Sequence, residues 1–135
     1  MREILFRGKR LCNSEWCYGF YVHLKDFKGN ERHRIYDGVA ESEIEDGENR
    51  TFYPDAFDVD PKTVGQFTGL LDKNGEQIYE GDIMILHKKN SVETGEVVFV
   101  WGGYCLSPKG YCLSSFDGDR GEVIGNIHDN PELKK

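Results

Sequence analysis

Four carboxylates crowd the stretch TGLLDKNGEQIYEGDIMIL, Thr68–Leu86: Asp72, Glu76, Glu80 and Asp82. Carboxylates set among glycines can ligate calcium, run acid/base catalysis or hold turns. A calcium loop of the EF-hand kind needs oxygen donors at alternating positions, glycine at the sixth and a bidentate glutamate at the twelfth. Counting from Asp72, Asn74 and Glu76 fit the opening, but the sixth residue is Gln77 and the twelfth is Ile83. The carboxylate pair of a glycosidase faces a sugar from two sides of a cleft, whereas Glu80 and Asp82 flank a single glycine, Gly81. Turn-making fits best. Asn74-Gly75 supplies the positive φ of a tight hairpin turn. Tyr79-Glu80-Gly81-Asp82 reverses the chain before the apolar run IMIL, with the Asp82 carboxylate able to accept turn N–H groups. Asn74, Gly75, Tyr79, Glu80, Gly81 and Asp82 are therefore assigned as a structural turn motif, with Ile78 or Tyr79 expected in the core.

Other reactive side chains are scattered. Cys12 and Cys17 are spaced C-x4-C, and Cys105 and Cys112 C-x6-C. Structural zinc sites favour two to four residues between paired cysteines, so only the first pair fits, and reduced thiols packing as small hydrophobes are expected. His23, His33, His87 and His128 form no H-x-x-x-H or H-E-x-x-H pair. The chain has no G-x-S-x-G elbow, P-loop or G-x-G-x-x-G fingerprint. No catalytic residue, metal ligand or cofactor site is expected, and the protein is read as a non-enzyme.

Charge is uneven. Residues 1–36 carry eight Lys/Arg against four Asp/Glu, residues 37–63 two against nine, and residues 64–135 seven against eleven, for a net −7. Only the opening could meet a phosphate backbone. The candidate nucleic-acid contacts are Arg2, Arg7, Lys9, Arg10, Arg32 and Arg34, with Trp16, Tyr18 and Tyr21 as stacking platforms. The acidic remainder opposes this, and nucleic-acid binding at physiological salt is not expected.

The elements that must position these groups are short strands. Glu3–Arg7 is a strand candidate with Ile4 and Phe6 on one side. In WCYGFYVHLK, Tyr18, Phe20, Val22 and Leu24 share one face and Gly19, Tyr21, His23 and Lys25 the other, the pattern of a half-buried strand. DFKGNE turns and RHRIYDGV returns, making a hairpin. Ala40–Asn49 is acidic without apolar periodicity and reads as a loop. Prolines in TFYPDAFDVDP break regular pairing, and the boundary falls near Pro61, giving an N-terminal hairpin-rich region, 1–62, and a β-barrel, 63–135. The second part reads as strands TVGQFTG, EQIY, DIMILHKK and GEVVFVWG, the last with Val97, Phe99 and Trp101 on one face. A hairpin folding at Ser107–Gly110, a turn in FDGDRG and the strand EVIGNI follow, then a final turn with Asn130 as its N-cap. Five or six short strands in this length suggest a small antiparallel barrel.

Composition agrees: hydrophobic content is 38%, aromatics reach 13%, and glycine numbers 16 in 135 residues. No signal peptide or apolar span of about 20 residues is visible, so a cytosolic protein with no membrane contact is expected. Short strands with aromatic faces leave apolar area that self-association would cover, so a homo-oligomer is expected.

The segments GQFTGLLDKNGEQIYEGDIMIL, GEVVFVWGGYCL and EVIGNIHDNPEL, with the opening MREILFRGK, resemble the YopX protein family of phages and prophages. The resemblance covers most of residues 63–135 and does not extend over Cys12–Asp60. It implies an all-β protein with a C-terminal SH3-like barrel, working inside a bacterial host. It brings no catalytic residues. The expected function is a non-catalytic phage or prophage accessory protein, a binding or self-associating β module with a host or phage protein as further partner. A nucleic-acid binder using the basic strands is the alternative, and an enzyme of unknown class comes third.

Overall fold

The computed structural model describes residues 4–100, 102–108, 111–113 and 120–133. Arg2, Trp101, Lys109, Gly110 and most of FDGDRG lie outside the described residues. The protein is all-β: thirteen strands and two short 3₁₀ turns make up its regular structure among the described residues. Two compact units are present, Leu5–Val64 and Gly65–Lys135, the latter joined by Ile4.

In the Leu5–Val64 unit, β1 (Phe6–Lys9), β2 (Trp16–Lys25), β3 (Glu31–Tyr36) and β6 (Ala56–Asp58) run antiparallel in the order β6-β3-β2-β1. Strand β1 starts later than the sequence suggested, and Ile4 is exposed. Ladder register places Phe20 opposite Tyr36, Val22 opposite Arg34 and His23 opposite His33. The core is Cys17, Ile35 and Val59, flanked by Phe6, Tyr21, Phe57 and Val64. The face of β2 that turns inward is thus Cys17-Gly19-Tyr21, and the more apolar face, Tyr18, Phe20 and Leu24, is exposed. Gly19 is required where β2 meets the end of β3: its φ is 154°, and a Cβ there would collide with the Tyr36 carbonyl.

The acidic segment expected as a loop is a hairpin. Strands β4 (Glu41–Glu45) and β5 (Glu48–Phe52) pair with each other alone. Asp46 and Gly47 both have positive φ, 51° and 77°, as a two-residue turn between right-twisted strands requires. Every residue of both strands is exposed.

In the Gly65–Lys135 unit, β9 (Asp82–His87), β10 (Val92–Val100), β11 (Gly103–Ser107), β12 (Tyr111–Cys112) and β13 (Gly121–Asn126) form one antiparallel sheet, ordered β12-β11-β10-β9-β13. Its described ladder is open, with β12 and β13 as edges; β12 is only two residues long. The hairpin β7 (Gly65–Leu71) and β8 (Gln77–Tyr79) lays Ile78 into a core with Met84, Leu86, Val97, Tyr104 and Leu106. Val97 is buried while Phe99 on the same strand is about half exposed. Asn130 precedes the last 3₁₀ turn, Pro131–Leu133, at the N-cap position, its carbonyl accepting from the Leu133 N–H at 3.0 Å, while its side chain accepts from the N–H of Asn126 at 3.3 Å. Among the described residues no helix is long and apolar enough to cross a membrane.

Candidate functional site

Two buried carboxylates of the acidic stretch are engaged by backbone. Asp72 Oδ1 accepts from the N–H of Asn74 (2.8 Å) and Glu76 (2.9 Å), and its Oδ2 from Val123 (3.1 Å). Gly75 has φ 81° and donates to the Asp72 carbonyl at 3.0 Å. Asp82, only 2% exposed, accepts from the N–H of Tyr79 at 2.8 Å. Glu80, half-buried, accepts from the N–H of Gln66 at 2.9 Å. Gly81, φ 87°, donates to the Val97 carbonyl and accepts from Ile127, both at 2.9 Å. The Tyr79 ring packs on Phe67 with centroids 5.5 Å apart, and its hydroxyl donates to Gln77 Oε1 at 2.9 Å. The turn motif thus ties β7, β8, β9, β10 and β13 together, with its acids acting as fixed acceptors for amide groups.

Of the basic candidates, Arg7, Lys9, Arg32 and Arg34 stand beside Tyr18, Trp16, Leu24 and Val22 on the outer face of the Leu5–Val64 sheet, Arg7 being buried at 6% exposure, whereas Arg10 bridges to Val59 on the core side. The Arg7 guanidinium lies 4.6 Å and the Lys9 ammonium 5.5 Å from the Trp16 ring centroid. The Arg10 guanidinium stands 4.2 Å over Phe57. Arg32 (3.0 Å) and Arg34 (3.1 Å) both pair with the Asp58 carboxylate. That carboxyl is held below its ordinary pKa, first by the Arg32 hydrogen bond, against a smaller upward push from desolvation, with Arg34 adding to the lowering. Arg34 is raised correspondingly by its bond to Asp58. Between these charges lie the exposed Tyr18, Phe20 and Leu24. The face is an aromatic strip edged by cations already engaged by rings or by Asp58. Tyr21, expected beside them as a stacking platform, points to the other face, into the core.

The thiols are free and fall in separate units. Cys17 donates to the Gly8 carbonyl at 3.4 Å, and burial pushes its pKa up, with Arg10 pulling it down less strongly. Cys105 and Cys112 face each other across β11–β12 with sulfurs 3.3 Å apart; that hydrogen bond, then burial, raises Cys105. A concavity of about 410 Å³ in the Gly65–Lys135 unit is lined mainly by apolar groups such as Ile83, Pro108, Ile124 and Leu133, with Glu96 and Glu132 as its ionisable members.

The family model described as YopX protein matches residues 5–135. The chain belongs to the YopX family. The match takes in Cys12–Asp60, which the sequence resemblance left uncovered. A crystal structure of protein EF1440 from Enterococcus faecalis shares the fold of this YopX chain: the TM-score is 0.69 at 24% identity, covering 100% of both chains. Comparison with curated proteins found no match.

One cluster in this YopX chain escaped the sequence reading. His23 and His33 are cross-strand neighbours, with ring centroids 4.3 Å apart and planes 16° from parallel. Glu31 Oε1 lies 3.6 Å from His23 Nε2, and the Tyr21 hydroxyl is 2.6 Å from His33 Nδ1. Among the described residues, this trio of His23, Glu31 and His33 brings potential metal donors within 4.8 Å of one another. Searches for histidines three or four apart see helices only. Pairing positions about the Lys28 turn, where partners sum to a constant, would have found it.

Proposed function

We propose that the protein is a non-catalytic binding module that associates with a second copy of itself through the outer face of the Leu5–Val64 sheet. The observation carrying this is the exposed strip of Tyr18, Phe20 and Leu24 on a strand whose opposite face is core. Aromatic side chains presented on a rigid sheet cost little entropy to bury and mark contact surfaces. A second copy fits because the chain carries a complementary element. The β4–β5 hairpin presents five carboxylates, Glu41, Glu43, Glu45, Asp46 and Glu48, against one arginine, Arg50. The outer face presents Lys9, Arg32 and Arg34 against Asp58. An isolated two-stranded hairpin is marginal in water, and this one buries none of its strand residues in its own chain. Seating it on the cationic aromatic face of another copy covers both. The non-catalytic assignment is supported by the engagement of Asp72, Glu80 and Asp82 with backbone amides. As the family resemblance implies, the module is placed in the bacterial cytoplasm as a phage or prophage accessory factor, and the five-stranded sheet with its β7–β8 cover is read as SH3-like. Its antiparallel order and shared core support that assignment.

Light scattering after size exclusion tests the proposal, using the parent chain, Phe20→Glu and a Glu43→Lys/Glu45→Lys variant. The parent is expected as an oligomer, with both variants shifted toward monomer. A monomeric parent at every concentration overturns it. So does oligonucleotide binding much tighter than the roughly 10⁻⁴–10⁻⁶ M of nonspecific contacts at physiological salt, lost in Arg32→Glu/Arg34→Glu; that outcome assigns the face to nucleic acid.

A further inference from the structure

We propose that the His23–Glu31–His33 cluster binds one divalent metal ion of zinc character. The donors suit it: two imidazoles and a carboxylate are a recurring three-ligand zinc set, leaving other positions to water. Their placement is set by the β2–β3 ladder. His23 and His33 stand directly opposite each other, and Glu31 is two residues along the same face of β3. A ladder holds such donors at little conformational cost, because both strands are already ordered.

Distances bear on the fit. Ligand bonds of about 2.0–2.2 Å in a tetrahedral site put donor atoms roughly 3.4 Å apart. The His23–Glu31 separation, 3.6 Å, is near that value, and all three donors lie within 4.8 Å. The nearly parallel imidazoles send their lone pairs side by side, so one ring must turn for both to converge. His23 is exposed and free to turn about a broad χ2 torsion. His33 is the anchored partner: Tyr21, whose ring lies 7° from parallel to that of His33, holds its Nδ1. Ligating histidines ordinarily pass their second ring N–H to an acceptor, which fixes tautomer and orientation. With the Tyr21 oxygen accepting from Nδ1–H, Nε2 of His33 is the nitrogen available to the ion. Tyr21 is in turn packed against Phe6, with centroids 5.7 Å apart, so a half-buried residue at the edge of the core orients a surface ligand. The ion would staple β2 to β3 at the end of the sheet where the apolar core stops.

The test is calorimetric titration of the chelator-stripped full chain with zinc chloride in a non-coordinating buffer. Expected are one ion per chain, micromolar or tighter, and at least tenfold weakening in His23→Ala and in His33→Ala. Tyr21→Phe, which keeps the ring, should weaken binding about 10–100-fold, the usual effect of losing an outer partner. Cys12→Ser and His87→Ala should bind as the parent does. Circular dichroism of each variant separates lost ligands from lost folding, and Glu31→Gln, at a half-exposed side chain outside the core, should weaken binding without disturbing the fold. Absence of a saturable single site overturns the proposal, as does undiminished binding in a folded His23→Ala/His33→Ala double variant.

Discussion

Replacing Asp72 measures how far the acidic signature is architecture. The carboxylate is 6% exposed and accepts three backbone N–H groups, two inside its own turn and one from Val123 on β13. Asp72→Asn keeps the shape and one carbonyl oxygen, which can serve Asn74 and Glu76. Its amide nitrogen then faces the Val123 N–H, donor against donor. Losing one charge-assisted hydrogen bond at a buried site costs about 2 kcal/mol. Asp72→Ala strips all three acceptors. Asn74 and Glu76 are exposed and can turn to water, adding roughly 0.5 kcal/mol each, so the total is about 3 kcal/mol. For a chain of this size, 1 kcal/mol moves the melting temperature by about 3–5 °C. Thermal unfolding should therefore fall by about 6–10 °C for Asp72→Asn and 9–15 °C for Asp72→Ala, with no recovery on adding calcium. Midpoints unchanged in both variants, or a calcium-dependent rise in the parent that Asp72→Asn abolishes, would refute the reasoning.

Three further outcomes are expected. Gly75→Val should cost about 1–3 kcal/mol in urea unfolding although a side chain there meets open space, because φ of 81° is itself the obstacle; an unchanged midpoint contradicts this. Asp58→Asn should lower stability near neutral pH by up to about 1 kcal/mol, since both ion pairs are partly open to solvent. A depressed folded-state pKa stabilises above the unfolded value and the benefit disappears on acidification, so parent and variant should converge as pH drops below about 3.9; a difference that persists in acid contradicts the Arg32–Asp58–Arg34 assignment. At pH 8, alkylation followed by peptide mass should reach the exposed Cys12 well before Cys17, which is buried and raised in pKa; equal rates would show that the Cys17–Gly8 contact opens readily.

Legibility in the sequence tracked local chemistry. Asn74-Gly75 and Gly81 announce turns by backbone conformation, and Ile78 and Tyr79 are both buried; strands β7 to β10 follow because alternation runs between those turns. Asp46-Gly47 carries the same hairpin signal, yet the density of glutamates around it made the segment read as a loop. Which face of β2 is core could not be read from hydrophobicity, since Tyr18, Phe20 and Leu24 look more like core than Cys17, Gly19 and Tyr21. The inward face is set by nonlocal packing of Cys17 and Tyr21 with Ile35 and Val59. The histidine cluster is equally nonlocal, assembled by ladder register across ten residues. Closure of a barrel is likewise nonlocal, and among the described residues the sheet runs β12-β11-β10-β9-β13 without pairing its two edges.

The central claim, that the chain meets its own copy through the outer sheet face, is tested most directly by hydroxyl-radical footprinting of the full chain across a dilution series. Tyr18 and Phe20 should become protected as concentration rises, together with Ile44 and Phe52 of the β4–β5 hairpin, while the fully exposed Phe27 stays equally reactive throughout. Oxidation of Tyr18 and Phe20 that does not change with concentration, in samples that light scattering shows to be oligomeric, would contradict the account and place the contact elsewhere.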